Sequence, residues 1–247
     1  SLLAGWIDAV VGGGGLIQLP ALLIGLPPDT PVATIAGTNK LPSFMGTLTA
    51  SLTYLRTIKV DWGLAWPLLV AAAIGSWTGA QLTHFLPRQH FTPLVLFAVV
   101  SVGWYTWRRP NLGLHAAVKH TGNDARLRMA AIGLVVGLWD GFIGPGTGTF
   151  FVLALVSVIG HDFLASTALA KLANLTTNAS AIVAFAITGN ILWGLGLAMG
   201  VANLTGGYLG ARTALTRGNA FIRRVFLLVV GALAIKLAWD TFFTHWG

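Results

Sequence analysis

The sequence predicts an all-α integral membrane protein with about eight transmembrane segments, built from two homologous four-segment repeats with broken helices. Three observations predict this fold. The chain of 247 residues is 55% hydrophobic and only 9% charged, whereas a soluble domain carries about 25% charged residues. Its apolar runs have the length of membrane spans, and its second half repeats motifs of its first half.

Eight apolar segments come close to the roughly 20 residues that a spanning helix needs. In the first half they cover residues 2–26, 31–55, 62–82 and 92–107. A polar connector at 108–128 separates them from the segments 129–159, 163–188, 191–214 and 220–243. We therefore divide the chain into a first membrane repeat (1–108), a connecting loop (109–127) and a second membrane repeat (128–247).

Motifs recur in the two halves at nearly one register. "GWIDAVVGGGG" matches "GLWDGFIGPGTG", which pairs Asp8 with Asp140, and "VDWGLAW" matches "ILWGLGL", which pairs Trp62 with Trp193. "GSWTGA" likewise matches "GGYLGA". An even number of crossings in each half would make the repeats parallel, and an odd number would make them inverted.

The basic residues leave the orientation open. Cytoplasmic loops are enriched in Lys and Arg, and such residues cluster both in the connector and near residue 217. If all eight segments cross the membrane once, these two regions fall on opposite sides. Either one segment in each half is re-entrant, or the charge rule fails here.

Composition also bounds the partners. The formal charge of +8 comes from few residues and lies mostly in connecting segments, so we expect contact with membrane lipid and none with nucleic acid. Cysteine is absent, which excludes disulfides and thiolate metal sites. The six histidines are scattered, so we expect no metal ion and no cofactor. Whether the chain forms a homo-oligomer stays open.

Glycine is dense in the first segment of each half. The runs consist of Gly12, Gly13, Gly14 and Gly15 in "GGGG", and of Gly144, Gly146, Thr147 and Gly148 in "GPGTG". Glycine is a poor helix former and Pro145 lacks an N–H, so we expect a break within each segment. The N–H groups that begin the next half-helix carry partial positive charge. Two such breaks predict an anion site near the membrane midplane.

Polar side chains in the second segment of each half are further candidates for this site. They are Thr38, Asn39 and Lys40 in "AGTNKLPS", and Lys171, Asn174 and Asn178 in "AKLANLTTN". A lysine deep in a span costs about 2.5–3.5 kcal/mol on insertion scales. Two lysines at equivalent positions therefore indicate substrate binding, although snorkelling from the interface is the alternative. Pro42 predicts a second break in the first half.

Asp8 and Asp140 precede the glycine runs and allow two interpretations. Each carboxylate either caps backbone or pairs with a lysine, which is a structural role. Alternatively each takes up a proton coupled to anion movement, and so gates or couples transport, because burial disfavours the charged form of a carboxylate. The sequence does not decide between these roles.

The sequence resembles the TauE/SafE family of sulfite and organosulfonate exporters. The resemblance rests on "GWIDAVVGGGGLIQLPALLIGLPP", "GTNK", "GSWTGA", "GPGTGTF", "ALAKLANLTTN" and "GGYLGAR", and it covers nearly the whole chain. It implies a multi-pass transporter of small sulfur-containing anions in the cell membrane, the bacterial inner membrane, with protons as a possible coupling ion. One departure is Gly13, where the second half has Pro145.

We therefore predict a secondary transporter, an exporter of a small anionic substrate such as sulfite or an organosulfonate, and not an enzyme. The alternatives are a passive anion channel and a transporter of another small carboxylate or oxyanion. A membrane enzyme would need clustered histidines and carboxylates. The seven acidic residues show no pairing with histidine in the spans.

Overall fold

The computed structural model describes residues 1–27, 29–85, 104, 108 and 113–243, and every regular element among them is helical. The first half contains the helices α1 (Leu2–Val11), α2 (Gly15–Gly25), α3 (Val32–Leu55) and α4 (Trp62–Leu82). The second half contains α5 (Gly122–Phe142), α6 (Thr147–Ala154), α7 (Phe163–Ile187) and α8 (Trp193–Phe243). The predicted segment 92–107 lies outside the described residues apart from Trp104, as do residues 109–112 of the predicted connecting loop.

One helix start differs from the prediction. The segments predicted at 191–214 and 220–243 are two helical stretches, which we label together as α8, and they are separated by a sharp bend at Gly218, where φ is 72° and ψ is −171°. The predicted connection between them is short, because the departure from helical geometry lies at that glycine. Helix α5 begins before residue 129, since Asp124 favours a helix start and pairs with Arg128, whose Nε lies 3.0 Å from Asp124 Oδ2.

Both helix breaks predicted from the glycine runs are present. Helix α1 ends at Val11, where Gly12 adopts a φ of 82°, and α2 begins at Gly15. Helix α5 ends at Phe142, and Gly146 with a φ of 83° precedes α6. This left-handed conformation costs other L-residues roughly 1–2 kcal/mol, but not glycine. The glycines therefore determine where the helices stop.

Helix α3 continues through Pro42, so the second break predicted at this proline is wrong. Helix α8 packs against α3 at the proline and beyond it. Asn203 Nδ2 donates to Pro42 O at 2.6 Å. A Cβ on Gly207 would overlap Gly46 O, so α8 lies directly on α3. Proline is tolerated inside membrane helices that pack against neighbouring helices.

Helices α5 and α6 form a hairpin that enters and leaves at one end of the molecule. Lys119 N, just before α5, donates to Ile159 O, just after α6, at 3.0 Å. The bend in α8 lies at the same end, because Asn219 Oδ1 accepts from Leu164 N at 2.8 Å. The connector and the bend are therefore neighbours and do not lie on opposite sides.

Helices α1 and α2 form a second hairpin, which opens toward the opposite end. A Cβ on Gly14 would lie 2.7 Å from Ala4 O, so the chain reverses direction within the glycine run. Helix α2 then leads to the start of α3, where Thr34 Oγ1 donates to Asn190 Oδ1 at 3.0 Å. Helix α7 begins at the end toward which the hairpin of α5 and α6 opens. Asn190 follows α7 and therefore lies at the opposite end.

The two ends differ in charge. We call the end that contains the connections 56–61, 113–121 and 160–162 and the bend at Gly218 the basic end. Its basic residues include Arg56, Lys59, Lys119, Arg126, Arg128, Arg212, Arg217, Arg223 and Arg224. The described residues of the connections 26–31 and 188–192, at the opposite end, include no Lys or Arg. The two basic regions therefore lie at the same end of the described structure.

Apolar side chains cover much of the outside of the helices, while Lys40, Lys171 and Asp140 are buried inside. Val135, Ile187 and Leu228 are 67%, 72% and 73% exposed, whereas Lys40 and Lys171 are 4% and 0% exposed. This distribution suits an outer surface in contact with lipid. By length and composition alone, α4 is the one described helix apolar enough to cross a membrane. Helices α3 and α7 carry polar residues in their middle.

Candidate functional site

The two helix breaks meet in the interior. A Cβ on Gly12 would overlap the backbone of Gly148 and Thr149, and a Cβ on Gly148 would overlap Gly12 Cα. Thr149 Oγ1 also donates to Val11 O at 3.1 Å and so satisfies a carbonyl at the end of α1. Any side chain at either glycine would separate the breaks. The glycine runs therefore bring the N-termini of α2 and α6 together.

A small polar cavity of about 20 Å³ lies between the breaks, and it has room for about one water molecule. It is lined by Asp8, Gly12, Gly15, Asn39, Lys40, Ser43, Asp140, Gly144, Gly146, Thr147, Gly148, Asn174 and Asn178. The first residues of α2 and α6 are among them. The N–H groups of a first helical turn have no partner within the helix, so they favour a bound anion.

Lys40 pairs with an aspartate from the other half of the chain. Its Nζ lies 2.7 Å from Asp140 Oδ2 and also donates to Asp140 O at 2.8 Å. Both side chains are almost fully buried. The lysine therefore joins α3 to the end of α5. Removal of one partner from a buried pair usually costs about 3–5 kcal/mol.

Lys171 forms the second pair between the halves. Its Nζ lies 3.0 Å from Asp8 Oδ2, and Asp8 Oδ1 accepts from Gly14 N at 3.2 Å. Asp8 thus fastens the turn between α1 and α2 to α7. Lys171 is fully buried and lies behind Asp8, outside the lining of the cavity.

Most of the predicted site residues meet at this cavity. Both candidate coupling residues, Asp8 and Asp140, line it, together with ten of the residues predicted to bind substrate: Gly12, Gly15, Asn39, Lys40, Gly144, Gly146, Thr147, Gly148, Asn174 and Asn178. Four predicted residues do not line the cavity, namely Gly13, Gly14, Thr38 and Lys171. Substrate binding by any of these residues stays a prediction.

Thr38 and Gly13 have structural contacts instead. Thr38 Oγ1 donates to Thr34 O at 2.6 Å and accepts from Leu192 N at 2.9 Å, which ties α3 to the start of α8. A Cβ on Gly13 would lie 3.0 Å from a methyl group of Val229, in the part of α8 after its bend. Both residues therefore contact α8 and not the cavity.

Two asparagines bring unpaired polar atoms to the cavity. Asn39 and Asn174 are each 5% exposed, and Oδ1 of each has no hydrogen-bond partner. A buried polar atom without a partner costs about 1–3 kcal/mol. A side-chain amide offers two N–H donors and one acceptor, so a ligand in the cavity could complete these hydrogen bonds.

Two serines at the site were not predicted from the sequence. Ser43 lines the cavity. It lies 131 residues before Asn174 (174 − 43 = 131), the offset that also separates Lys40 from Lys171. The repeat therefore pairs Ser43 with a predicted site residue and could have identified it. Ser76 Oγ lies 3.3 Å from Asp140 Oδ2 and donates to Thr177 O at 2.9 Å. Its sequence motif indicated only helix packing.

Comparisons with known proteins agree with the resemblance seen in the sequence. The model of the sulfite exporter TauE/SafE family matches residues 1–237. A probable membrane transporter protein of Haemophilus influenzae is 35% identical, over 98% of this chain and 93% of its own length. The probable membrane transporter protein YfcA of Escherichia coli K12 is 31% identical, over 100% of this chain and 91% of its own length. No solved structure matches the chain.

Proposed function

The chain belongs to the sulfite exporter TauE/SafE family, and we propose that it is a secondary transporter that exports a small sulfur-containing oxyanion, such as sulfite or an organosulfonate. The contact between Gly12 and Gly148 is the observation that carries this proposal. It directs two helix N-termini into one buried polar cavity. The names of the relatives, which are probable membrane transporter proteins, support transport as the activity.

The anion would bind between the N-termini of α2 and α6. Backbone N–H groups at Gly15 and Gly148 would meet its oxygens, because glycine and a helix start allow a close approach. Lys40 Nζ would supply the positive charge at the cavity wall. The amides of Asn39, Asn174 and Asn178 would supply further N–H donors.

The charges at the site support coupling to protons. Two lysines and two aspartates, Lys40, Lys171, Asp8 and Asp140, give the site no net charge. An incoming anion would therefore meet carboxylates as well as Lys40. Two like unit charges 4 Å apart repel by about 4 kcal/mol at an effective dielectric constant of 20. Protonation of one carboxylate removes this repulsion, so we propose that a proton accompanies the anion.

Alternating access would follow from the two hairpins. The cavity holds about one water molecule, so an anion of four or more heavy atoms would enter only when the hairpin tips separate. Because the hairpins open toward opposite ends, movement of one tip would expose the site to one side at a time. We infer that the repeats 1–108 and 128–247 are inverted, and that the basic end faces the cytoplasm of a bacterial inner membrane.

Uptake by proteoliposomes tests this function. The purified protein would be reconstituted, and sulfite, an alkyl sulfonate, sulfate and a small carboxylate would be offered with and without an imposed pH gradient. We expect sulfite or the sulfonate to accumulate above its equilibrium level, and a protonophore to abolish the accumulation. Simple equilibration would indicate a passive anion channel. Accumulation of the carboxylate alone would indicate a transporter of a different substrate class.

A further inference from the structure

We propose that Asp140, and not Asp8, takes up the proton that accompanies the anion, and that Ser76 positions this proton by accepting a hydrogen bond from the neutral carboxyl group. This inference rests on the proposed function and deepens it. The sequence treats the two aspartates as equivalent, but their surroundings in the structure differ.

Ser76 offers Asp140 an acceptor. Its Oγ lies 2.9 Å from Thr177 O, which carries no hydrogen, and 3.3 Å from Asp140 Oδ2. A hydroxyl group has one hydrogen to donate and cannot donate it in both contacts, and we assign it to the shorter contact, with Thr177 O. The oxygen of Ser76 then turns a lone pair toward Asp140 Oδ2. That contact becomes favourable when Asp140 Oδ2 carries a proton.

Among the described residues, no such acceptor is seen beside Asp8. Gly14 N donates to its Oδ1 at 3.2 Å, and Lys171 Nζ donates to its Oδ2 at 3.0 Å. In the described part of the chain, both contacts therefore supply hydrogens and stabilise the ionised carboxylate. The backbone N–H of Gly14 cannot turn away, because it forms the reversal between α1 and α2. A proton on Asp8 would weaken this turn.

The sequence supports the difference between the two carboxylates. The register that pairs Lys40 with Lys171 pairs Ser76 with position 207 (76 + 131 = 207), which is a glycine. Gly207 packs against Gly46 O and has no hydroxyl to offer. The serine is thus present in one half only, beside Asp140.

Protonation of Asp140 would also release Lys40 for the anion. Lys40 Nζ would keep its hydrogen bond with Asp140 O, at 2.8 Å, and its charge would lose its counterion. The other charged group lining the cavity is Asp8 of α1, with Lys171 of α7 behind it. Among the described residues, α4 and α6 contribute only neutral groups to the site. The net charge would rise from zero to +1, which matches a monovalent anion.

Proton uptake on anion binding tests the inference. Ethanesulfonate is a suitable probe, because it carries one negative charge throughout the working pH range and brings no proton. Calorimetric titration of the detergent-purified protein in two buffers of different ionisation enthalpy gives the protons bound per anion. We expect about one proton for the unmodified protein near neutral pH. We expect none for Asp140→Asn, whose affinity should no longer depend on pH.

Ser76→Ala separates a positioning role from a packing role. Loss of the acceptor should lower the pH midpoint of ethanesulfonate binding by about half a unit, which corresponds to about threefold weaker binding above the midpoint. Ser180→Ala is the matched control, since Ser180 Oγ donates to Ala73 O at 2.8 Å and joins the same two helices without touching a carboxylate. Its midpoint should stay unchanged.

Several results would overturn the inference. One is proton uptake that persists in Asp140→Asn, and another is a pH midpoint of Ser76→Ala equal to that of Ser180→Ala. If Asp140→Asn does not fold, the two serine variants decide. Binding without any proton uptake would overturn this inference and leave anion transport standing. Failure of the unmodified protein to bind any sulfonate, sulfite or carboxylate would overturn the proposed function itself.

Discussion

Gly12 and Gly148 touch through their backbones, although one ends the first helix of the chain and the other lies in the first turn of α6. This contact joins the tips of two hairpins that enter from opposite ends of the molecule. Backbone groups left unpaired at a helix break cost several kcal/mol in hydrocarbon. Burial of both breaks against each other, with polar side chains around them, makes this backbone tolerable in the membrane.

Gly148→Ala should disrupt the contact between the tips. Its Cβ would overlap Gly12 Cα, and overpacking of this kind costs about 1–3 kcal/mol. We expect a lower denaturation temperature in detergent and about tenfold weaker anion binding, measured by calorimetry. Gly194→Ala is the control, because a Cβ there meets no atom within 4 Å. Equal anion affinity in the two variants would show that the tip contact does not shape the site.

Variants of Lys40 and Asp140 should distinguish an effect on thermal stability from an effect on anion binding. Lys40→Ala leaves a buried carboxylate without its cation, which costs about 3–5 kcal/mol, and it removes the positive charge that lines the cavity. We expect the double variant Lys40→Ala/Asp140→Ala to regain most of the denaturation temperature but no anion binding. Binding by either variant at the unmodified affinity would exclude Lys40 from the site.

Asn39→Leu should weaken anion binding without lowering thermal stability. Asn39 Oδ1 has no partner, so an apolar side chain of similar size should leave thermal stability equal or higher. Loss of a hydrogen bond to a charged ligand, about 1.5–3 kcal/mol, should weaken anion binding at least about tenfold. Gln18→Leu is the matched control, since Gln18 is a buried amide with an unpaired Nε2 outside the cavity lining. A similar loss of binding in both variants would argue against a direct role for Asn39.

Much of the helical organisation could be predicted from the sequence, because it depends on local composition. Helix α4 has the predicted bounds, since an apolar run follows Asp61, whose side chain accepts from Gly63 N at 2.8 Å. The breaks could be predicted because glycine runs weaken a helix wherever they occur. Pro42 was misleading, because a membrane helix tolerates proline where other helices pack against it, and α8, whose Asn203 donates to Pro42 O, comes from another part of the chain.

The partners of the charged residues could not be predicted. The predicted repeat makes Asp8 equivalent to Asp140 and Lys40 equivalent to Lys171, but this equivalence leaves open whether ion pairs form within a half or between halves. The structure pairs them between halves. The direction of α6 could not be predicted either, since the contact that shows it joins Lys119 to Ile159, which are far apart in the sequence. The internal repeat and the number of spans stay predictions.

Cysteine labelling would test the hairpins. The chain has no native cysteine, so single cysteines report alone. We expect Lys59→Cys and Arg217→Cys to react with an impermeant maleimide from the same, cytoplasmic side, because both positions lie at the basic end. Asp29→Cys and Thr188→Cys should react from the other side. Eight single crossings would instead put Lys59 and Arg217 on opposite sides, which contradicts re-entrant hairpins.

The central claim is that two helix breaks together hold the anion, and the position of a bound selenite ion tests it most directly. Selenite is the selenium analogue of sulfite, and anomalous diffraction at the selenium edge would locate it in crystals of the protein. We predict one peak within about 3.5 Å of Lys40 Nζ and of backbone N–H groups at the start of α6. A peak elsewhere on the protein, with none between the breaks, would contradict the account.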